Sequence, residues 1–376
     1  MLLKSIKITN FKNYEAFEAS FHAKLNIITG LNGTGKTNLL DAIYYLCFCK
    51  SYFQSSDAAN VLHGETYFRL DGSFLSKLEA DAENEEGDND VNDDVNDIGC
   101  AYMRGKRKVV EKNKVAYGKF AEHIGFCPLV FIEPDDVQII KGGGTNRRKL
   151  MDVTLAQYDK EYLQALIVYE RNRKQRNALL KQFASQQTFD QTLINVYDEQ
   201  LIESGSLIFE KRNQMLELLN PIFLEVYREI SGDKEQVNFK YESQLLDKPF
   251  AELLKSSIQK DRIIQRTSIG IHNDDWLFEI KDHELKKLGS QGQQKSFLIS
   301  LKLSTFHLLK SKMNKMPIIL MDDIFDKLDN ERIEQLIKIV SKDTFGQVFV
   351  TNTDERHLRE ILEKLGLEGK YFAVGN

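Results

Sequence analysis

The segment from Gly30 to Thr37 limits the possible folds of this chain more than any other feature. It reads Gly-Leu-Asn-Gly-Thr-Gly-Lys-Thr and fits the phosphate-loop pattern G-x-x-x-x-G-K-[ST] at every position. The apolar stretch at 24–30 predicts a strand before the loop, and residues 37–48 predict a helix after it. Glycines let the loop amides face a phosphate group, and the helix N-terminus adds partial positive charge. We therefore predict an α/β nucleotide-binding fold.

The loop chemistry predicts ATP and Mg²⁺ as cofactors. Lys36 is expected to reach the β- and γ-phosphates as a catalytic residue, and the Thr37 hydroxyl is expected to ligate Mg²⁺. The residues predicted to bind ATP are Gly30, Leu31, Asn32, Gly33, Thr34, Gly35, Lys36, Thr37 and Asn38.

An acidic pair much later in the sequence supplies the second part of such a site. The apolar run at 317–321 ends in Asp322 and Asp323. Carboxylates at the carboxyl end of a buried strand are placed to meet a phosphate loop. We predict that Asp322 holds Mg²⁺ and that Asp323, a catalytic residue, orients or deprotonates the attacking water. The alternative for this pair is an ordinary helix cap after a strand.

Periodicity divides the chain into three parts. The first third alternates strands and helices, and the last quarter does so again. Helical periodicity dominates between about Arg147 and Lys260, most clearly at 159–183 and 191–230. We therefore expect an ATPase lobe assembled from both chain ends, 1–142 and 286–376, and a mostly helical second lobe at 143–285.

Charge is distributed unevenly. The formal net charge is −5, but residues 79–97 carry ten acidic side chains and no basic one. Outside that tract, 46 acidic residues face 51 basic ones. The tract has almost no apolar residues, so we predict a disordered acidic loop, with a DNA mimic or a partner-docking segment as the alternatives. No stretch approaches the roughly 20 apolar residues of a membrane span, so we expect a cytoplasmic protein.

Two further motifs relate the chain to a known class. Leu288-Gly-Ser-Gln-Gly-Gln-Gln294 resembles the signature motif of ATP-binding-cassette ATPases, in an S-Q-G-Q form. Phe325-Asp-Lys-Leu-Asp329 resembles the D-loop of that class. With Asn10-Phe-Lys-Asn-Tyr14 and matching segments along the whole length, the chain resembles the RecF family of bacterial recombination mediators. That family is itself similar to the heads of structural-maintenance-of-chromosomes (SMC) proteins.

The resemblance implies a cassette-type P-loop ATPase head, with a mixed sheet and flanking helices. It implies slow, DNA-dependent ATP hydrolysis, an ATP-driven homodimer, and loading of recombinase at gapped DNA with recombination mediator proteins. The setting would be DNA replication, recombination and repair during the SOS response to DNA damage, in the nucleoid. The signature would complete the ATP site of a second copy. The residues concerned are Ser290, Gln291, Gly292 and Gln293 in the signature and Asp326 and Asp329 in the D-loop.

The chain departs from the expected pattern at four places, one of which is the acidic insertion at 79–97. Phe53 and Gln54 stand where the family usually has an arginine, and the GPHRDD-like segment reads Gly-Ile-His-Asn-Asp-Asp at 270–275. The switch position has Thr351-Asn-Thr353 in place of the histidine of transporter cassettes. We therefore assign no histidine sensor.

Three basic clusters are candidates for DNA contact. They predict binding to phosphates without base readout, although each cluster could equally be a solvated surface. The candidate residues are Arg104, Lys106, Arg107, Lys108, Arg147, Arg148, Arg171, Arg173, Lys174 and Arg176.

Other functions remain open at this stage. The main alternative is a cassette ATPase subunit that serves a membrane transporter. A guanine-specific switch is disfavoured because Asn352-Thr-Asp354 lacks the lysine of N-K-x-D. A scaffold that binds ATP and scarcely hydrolyses it is the third alternative, because Asp323 replaces the commoner glutamate.

Overall fold

The computed structural model describes residues 1–76, 94–232, 235–324, 330–353 and 355–375. The chain forms two compact units, one from Met1–Pro134 with Leu309–Asn376 and the other from Asp135–Leu308. These boundaries differ from those expected at 142/143 and 285/286. The second unit extends to Leu308 because Phe297, Leu301 and Leu308 belong to its hydrophobic core.

The secondary structure follows the predicted alternation. The strands are β1 Leu2–Phe11, β2 Tyr14–Ser20, β3 Leu25–Thr29, β4 Tyr67–Ser76, β5 Asp94–Met103, β6 Val109–Lys112, β7 Val115–Ala116, β8 Leu129–Ile132, β9 Val237–Glu242, β10 Asp275–Ile280, β11 His283–Glu284, β12 Ile318–Met321, β13 Val348–Asn352 and β14 Lys370–Ala373. The helices are α1 Lys36–Phe48, α2 Val137–Lys141, α3 Gly144–Tyr158, α4 Lys160–Gln186, α5 Gln191–Ser231, α6 Phe250–Ile264, α7 Leu285–Leu288, α8 Gln291–Met313, α9 Asn330–Val340 and α10 Glu355–Leu365. The helices in the described part of the chain are too short or too polar to cross a membrane.

A parallel sheet forms the centre of the first unit. Its strand order is β14-β3-β13-β12-β8, so strands from both ends of the chain lie side by side in one sheet. Its three central strands, β3, β13 and β12, are almost entirely apolar and fully buried, as expected for a sheet covered on both faces. Because all its strands are parallel, their carboxyl ends lie along one edge. The predicted α/β class is confirmed.

An antiparallel sheet in the order β2-β1-β4-β5-β6-β7 completes the first unit. Residues 94–97 belong to β5, so their assignment to a disordered acidic loop is wrong. Pairing with β4 overrides their polarity, because Ser73 lies opposite Asp97 and its hydroxyl donates to the Asp97 carboxylate at 2.5 Å. The rest of the tract, 79–93, lies outside the described residues.

The second unit combines long helices with a small sheet that the sequence did not predict. The antiparallel order is β11-β10-β9, and the alternation of β9 and β10 was obscured by the helical periodicity around them. Apolar side chains from this sheet and from α5 and α8 form one core. Phe223 of α5 contacts Phe297 of α8 with ring centroids 4.6 Å apart, and Trp276 of β10 contacts Phe239 of β9 at 5.0 Å.

A buried arginine joins distant segments of this unit. The Arg212 guanidinium of α5 donates to Asp152 of α3 at 2.8 Å and to Asp274 at 3.1 Å. It also donates to the Ile271 carbonyl at 2.8 Å. The Gly-Ile-His-Asn-Asp-Asp segment at 270–275 is therefore tied into the interior of the unit through Ile271 and Asp274.

Arg212→Leu should lower the free energy of unfolding by about 3–5 kcal/mol, because the buried Asp274 and the half-buried Asp152 would lose their charged partner. Urea unfolding can be followed by the fluorescence of Trp276, the single tryptophan, which is buried in the same unit. The control is Lys240→Ala, which removes an exposed ion pair with Glu279 and should cost about 1 kcal/mol or less. Equal effects of the two substitutions would contradict this assignment.

Candidate nucleotide site

The phosphate loop is held by the turn between β1 and β2. The Tyr14 hydroxyl donates to the Gly35 carbonyl at 3.0 Å, and the Asn13 amide donates to the Thr34 carbonyl at 3.1 Å. Gly35 has φ +114°, and a Cβ there would lie 2.6 Å from the Asn13 side chain. Only glycine suits both the backbone angle and the close approach. The turn motif at 10–14 thus supports the loop.

Lys36 is the first residue of α1 and is almost fully buried. Its ammonium group donates to the carbonyls of Gly30 at 2.9 Å and Leu31 at 3.3 Å. Phosphate oxygens are stronger acceptors for a buried cation than neutral carbonyls. The Lys36 ammonium group therefore lies against the phosphate loop, where its predicted contact with phosphate oxygens requires it to be.

Asp322 connects the acidic pair to the phosphate loop. It follows β12, and the Thr37 hydroxyl donates to its Oδ2 at 2.8 Å, although the two residues are 285 positions apart. Burial raises the pKa of Asp322, and the hydroxyl groups of Thr351 and Thr37 partly oppose that rise. The hydroxyl hydrogen of Thr37 points to the carboxylate, so the Thr37 oxygen can offer lone pairs to a cation.

Thr351, at the end of β13, contacts both members of the acidic pair. Its hydroxyl donates to Asp322 Oδ1 at 2.7 Å and accepts the backbone N–H of Asp323 at 2.8 Å. Asp323 has φ +40°, a conformation that costs an ordinary residue about 1–3 kcal/mol. The hydrogen bond to Thr351 helps to hold that backbone. In the sequence, Thr351 is notable only because it stands where transporter cassettes have a histidine. Its position as a polar residue near the end of an apolar strand was the one feature that could have indicated a role in the site.

Asp41 is a second residue whose contribution was missed. It lies fully buried on α1 and pairs with Lys12 at 2.6 Å. It also accepts hydrogen bonds from the Ser51 hydroxyl at 2.6 Å and the Tyr52 N–H at 2.7 Å. The Lys12 ammonium lies 5.1 Å from the ring centroid of Phe53, the position where an arginine was expected. The segment after α1 is therefore anchored to the phosphate-loop helix.

The signature residues lie in the second unit. Ser290 is exposed and directly precedes α8, and Gln293 lies in the first turn of that helix. The predicted D-loop residues Asp326 and Asp329 lie outside the described residues.

Two candidate DNA contacts are buried ion-pair partners. Arg176 is fully buried and donates to Asp198 at 2.6 Å and to Asp261 at 2.7 Å. Arg147 is also buried and makes a bidentate contact with Asp275 at 2.6 and 2.8 Å. Both guanidinium groups are therefore buried against carboxylates inside the second unit. Their assignment to DNA contact is wrong for this conformation.

Lys108 is a third predicted DNA contact whose charged group is used inside the protein. Its ammonium group contacts Asp57 at 2.9 Å and the Cys49 carbonyl at 2.6 Å, and its side chain is only 10% exposed. The other candidates retain exposed surface: Arg104, Lys106, Arg107, Arg171 and Lys174 are exposed, whereas Arg148 and Arg173 are half-buried.

Two protein side chains in the described part of the chain, Thr37 and Asp322, are placed to hold Mg²⁺. No group of three or more His, Cys, Asp or Glu side chains in the described part of the chain forms a metal cluster. The Thr37 hydroxyl and the Asp322 carboxylate are hard oxygen donors held together. Mg²⁺ commonly uses one or two such donors together with water and phosphate oxygens, so this pair fits.

The fold and the site together define a P-loop ATPase of the SMC head class. A family model described as RecF/RecN/SMC N terminal domain matches residues 2–370. Full-length relatives lead to the same conclusion: the chain belongs to the RecF family of DNA replication and repair proteins.

The relatives cover nearly the whole chain. The DNA replication and repair protein RecF of Phocaeicola vulgatus is 43% identical over 375 residues, covering 100% of this chain and 96% of the relative. That of Flavobacterium johnsoniae is 44% identical over 372 residues, covering 99% of each. Because these relatives are repair proteins, the alternative of a transporter subunit is not supported.

Solved structures agree. The recombination mediator protein RecF-ATPrS in the RecFOR pathway superimposes with a TM-score of 0.85 at 28% identity, covering 99% of this chain and 95% of that one. An SMC head bound to the C-winged helix domain of ScpA has a TM-score of 0.53 at 15% identity, covering 96% and 91%. The second likeness concerns the fold alone.

If Asp323 is the catalytic carboxylate that the sequence predicts, Thr351→Val should lower kcat for ATP roughly 10- to 100-fold, because a displacement of about 1 Å can cost about that much. KM for ATP should change less than kcat, since the hydrogen bonds of Lys36 and Thr37 remain. Thr351→Ser keeps the hydroxyl and should retain kcat within about threefold. Steady-state phosphate release measures both constants. A valine variant as active as the serine variant would show that the hydroxyl does not matter.

Proposed function

We propose that this chain is an ATP-dependent DNA-binding protein of recombinational repair, in which two copies close around ATP. The supporting observation is that the components of the site belong to different units. Lys36, Thr37 and Asp322 are joined within the first unit, whereas the exposed Ser290 belongs to the second. The relative named RecF-ATPrS is a recombination mediator in the RecFOR pathway, which supports the same assignment.

Each residue of the composite site has a distinct role in this proposal. Lys36 binds the β- and γ-phosphates, and Thr37 and Asp322 hold Mg²⁺, which neutralises phosphate charge when bound. Asp323 positions the attacking water and accepts its proton. Ser290 of a second copy donates its hydroxyl to the γ-phosphate.

Dimerisation follows from this division by mass action. ATP contacts more groups in the dimer than in the monomer, so ATP favours association. Hydrolysis removes the γ-phosphate and with it the contact to Ser290, so the copies separate. ATP therefore sets how long the dimer stays closed on DNA. Hydrolysis is slow and DNA-stimulated, and the closed dimer helps mediator proteins to load recombinase at gapped DNA in the nucleoid.

DNA binding is assigned to the basic residues that remain exposed. Arg104, Lys106 and Arg107 lie at the β5–β6 connection, and Arg171 and Lys174 lie on α4. These side chains suit phosphate contacts, which carry no sequence information.

Light scattering should show a monomer without ATP and a dimer with ATP and Mg²⁺. Lys36→Ala should remain a monomer, because the γ-phosphate is no longer held. Asp323→Asn should form a dimer that outlasts that of the wild type, because the water-activating carboxylate is lost. An unchanged mass with and without ATP would contradict the proposed dimer.

DNA affinity should fall about 10³-fold or more between 50 and 200 mM salt if six phosphates are neutralised. Arg107→Ala and Arg171→Ala should each reduce the slope of log K against log salt by about one if their cluster contacts DNA. Lys338→Ala, exposed on α9 outside both clusters, is the control and should leave the slope unchanged. A flat salt dependence of the wild type would reject phosphate-dominated binding.

A further inference from the structure

The signature segment forms a capping box at the start of α8. The Gln293 N–H donates to Ser290 Oγ at 3.2 Å, and the Ser290 N–H donates to Gln293 Oε1 at 2.7 Å. The Ser290 carbonyl accepts the N–H of Gln294 at 3.0 Å, the first hydrogen bond of the helix. The reciprocal pair satisfies two donors at the helix N-terminus and fixes the Ser290 backbone. The orientation of Ser290 therefore depends on the Gln293 side-chain amide.

A carboxylate from another segment sets the orientation of that amide. Gln293 Nε2 donates to Glu235 Oε1 at 2.7 Å. An ionised carboxylate only accepts hydrogen bonds, so the amide nitrogen must face Glu235 and the amide oxygen must face Ser290. A flipped amide would place two oxygens together at Glu235 and two N–H groups together at Ser290.

Glu235 is itself held from the interior. The buried Tyr227 of α5 donates its hydroxyl to Glu235 Oε2 at 2.5 Å. The series Tyr227–Glu235–Gln293–Ser290 thus connects the core of the second unit to the exposed serine. In this arrangement Ser290 Oγ accepts the Gln293 N–H, so its own hydroxyl hydrogen can be donated to another group.

We propose that Glu235, held by Tyr227, is a positioning residue for the signature. It orients Gln293, and through it Ser290, toward the γ-phosphate of ATP bound by a second copy. This role rests on the proposed function. Loss of Glu235 should weaken the ATP-dependent dimer and leave ATP binding by the separate chain unchanged, since the phosphate loop belongs to the other unit.

Glu279 provides a matched control. It lines the same surface depression as Glu235, but it pairs with the exposed Lys240 at 2.8 Å. Removing it deletes a carboxylate from the depression and leaves the capping box intact.

The experiment compares Glu235→Ala, Glu235→Gln and Glu279→Ala. Fluorescent-nucleotide binding at low protein concentration measures the separate chain, and light scattering with ATP measures dimerisation. Glu235→Ala should weaken the ATP-dependent dimer about 10-fold and change nucleotide affinity less than twofold. Glu235→Gln keeps an acceptor for Gln293 and should stay within about 1.5-fold of wild type, as should Glu279→Ala. An alanine variant that dimerises like the wild type would overturn the role.

Mixing variants separates positioning from a general structural effect. Lys36→Ala lacks the phosphate contact but retains an intact signature, whereas Glu235→Ala has the reverse defect. A mixed dimer has one fully intact composite site, formed by the phosphate loop of the Glu235→Ala copy and the signature of the Lys36→Ala copy. The ATP turnover of the mixture should therefore exceed the sum of the two separate activities. The absence of such a gain would overturn the role in trans. If Glu235→Ala does not fold, Tyr227→Phe takes its place, with a dimerisation loss of about threefold. A wild type that stays monomeric with ATP would instead overturn the proposed function itself.

Discussion

The carboxylate of Asp322 is the contact on which the nucleotide site depends. It accepts the hydroxyl of Thr37 on one oxygen and that of Thr351 on the other. These contacts join α1, which follows β3 and the phosphate loop, to the ends of β12 and β13, which come from the other end of the chain. Hydrogen bonds to a charged group are worth about 1.5–3 kcal/mol each, so the two bonds fix the relative position of loop and acidic pair. The register of the parallel sheet makes this meeting possible.

The second unit uses buried charge for a comparable purpose. Arg212 on α5 holds Asp152 and Asp274, and further along the same helix Tyr227 holds Glu235. The helix that organises the interior therefore also supports the proposed signature contact. Buried ion pairs of this kind are weak evidence for stability, since apolar replacements can be as stable. Their value here lies in the fixed geometry that they impose on the segments they join.

The sequence was most informative where local pattern and chemistry agree. The phosphate loop, its strand and helix, and the strand before Asp322 follow from glycine spacing and apolar runs. The sheet β11-β10-β9 was not predicted, because the alternation of apolar and polar residues in its short strands lies between segments with a stronger helical periodicity. Arg147, Arg176 and Lys108 were misassigned since charge alone does not reveal burial, and the partner of Arg147 lies 128 positions away. The role of Thr351 likewise depends on strand neighbours that only the fold brings together.

The most direct test of the composite site is the structure of the Asp323→Asn protein with ATP and Mg²⁺ bound. The account predicts two copies, with the Ser290 hydroxyl of each within hydrogen-bond distance of the γ-phosphate held by Lys36 of the other. A single copy that closes its own phosphate loop, or a dimer in which Ser290 lies far from both nucleotides, would contradict it.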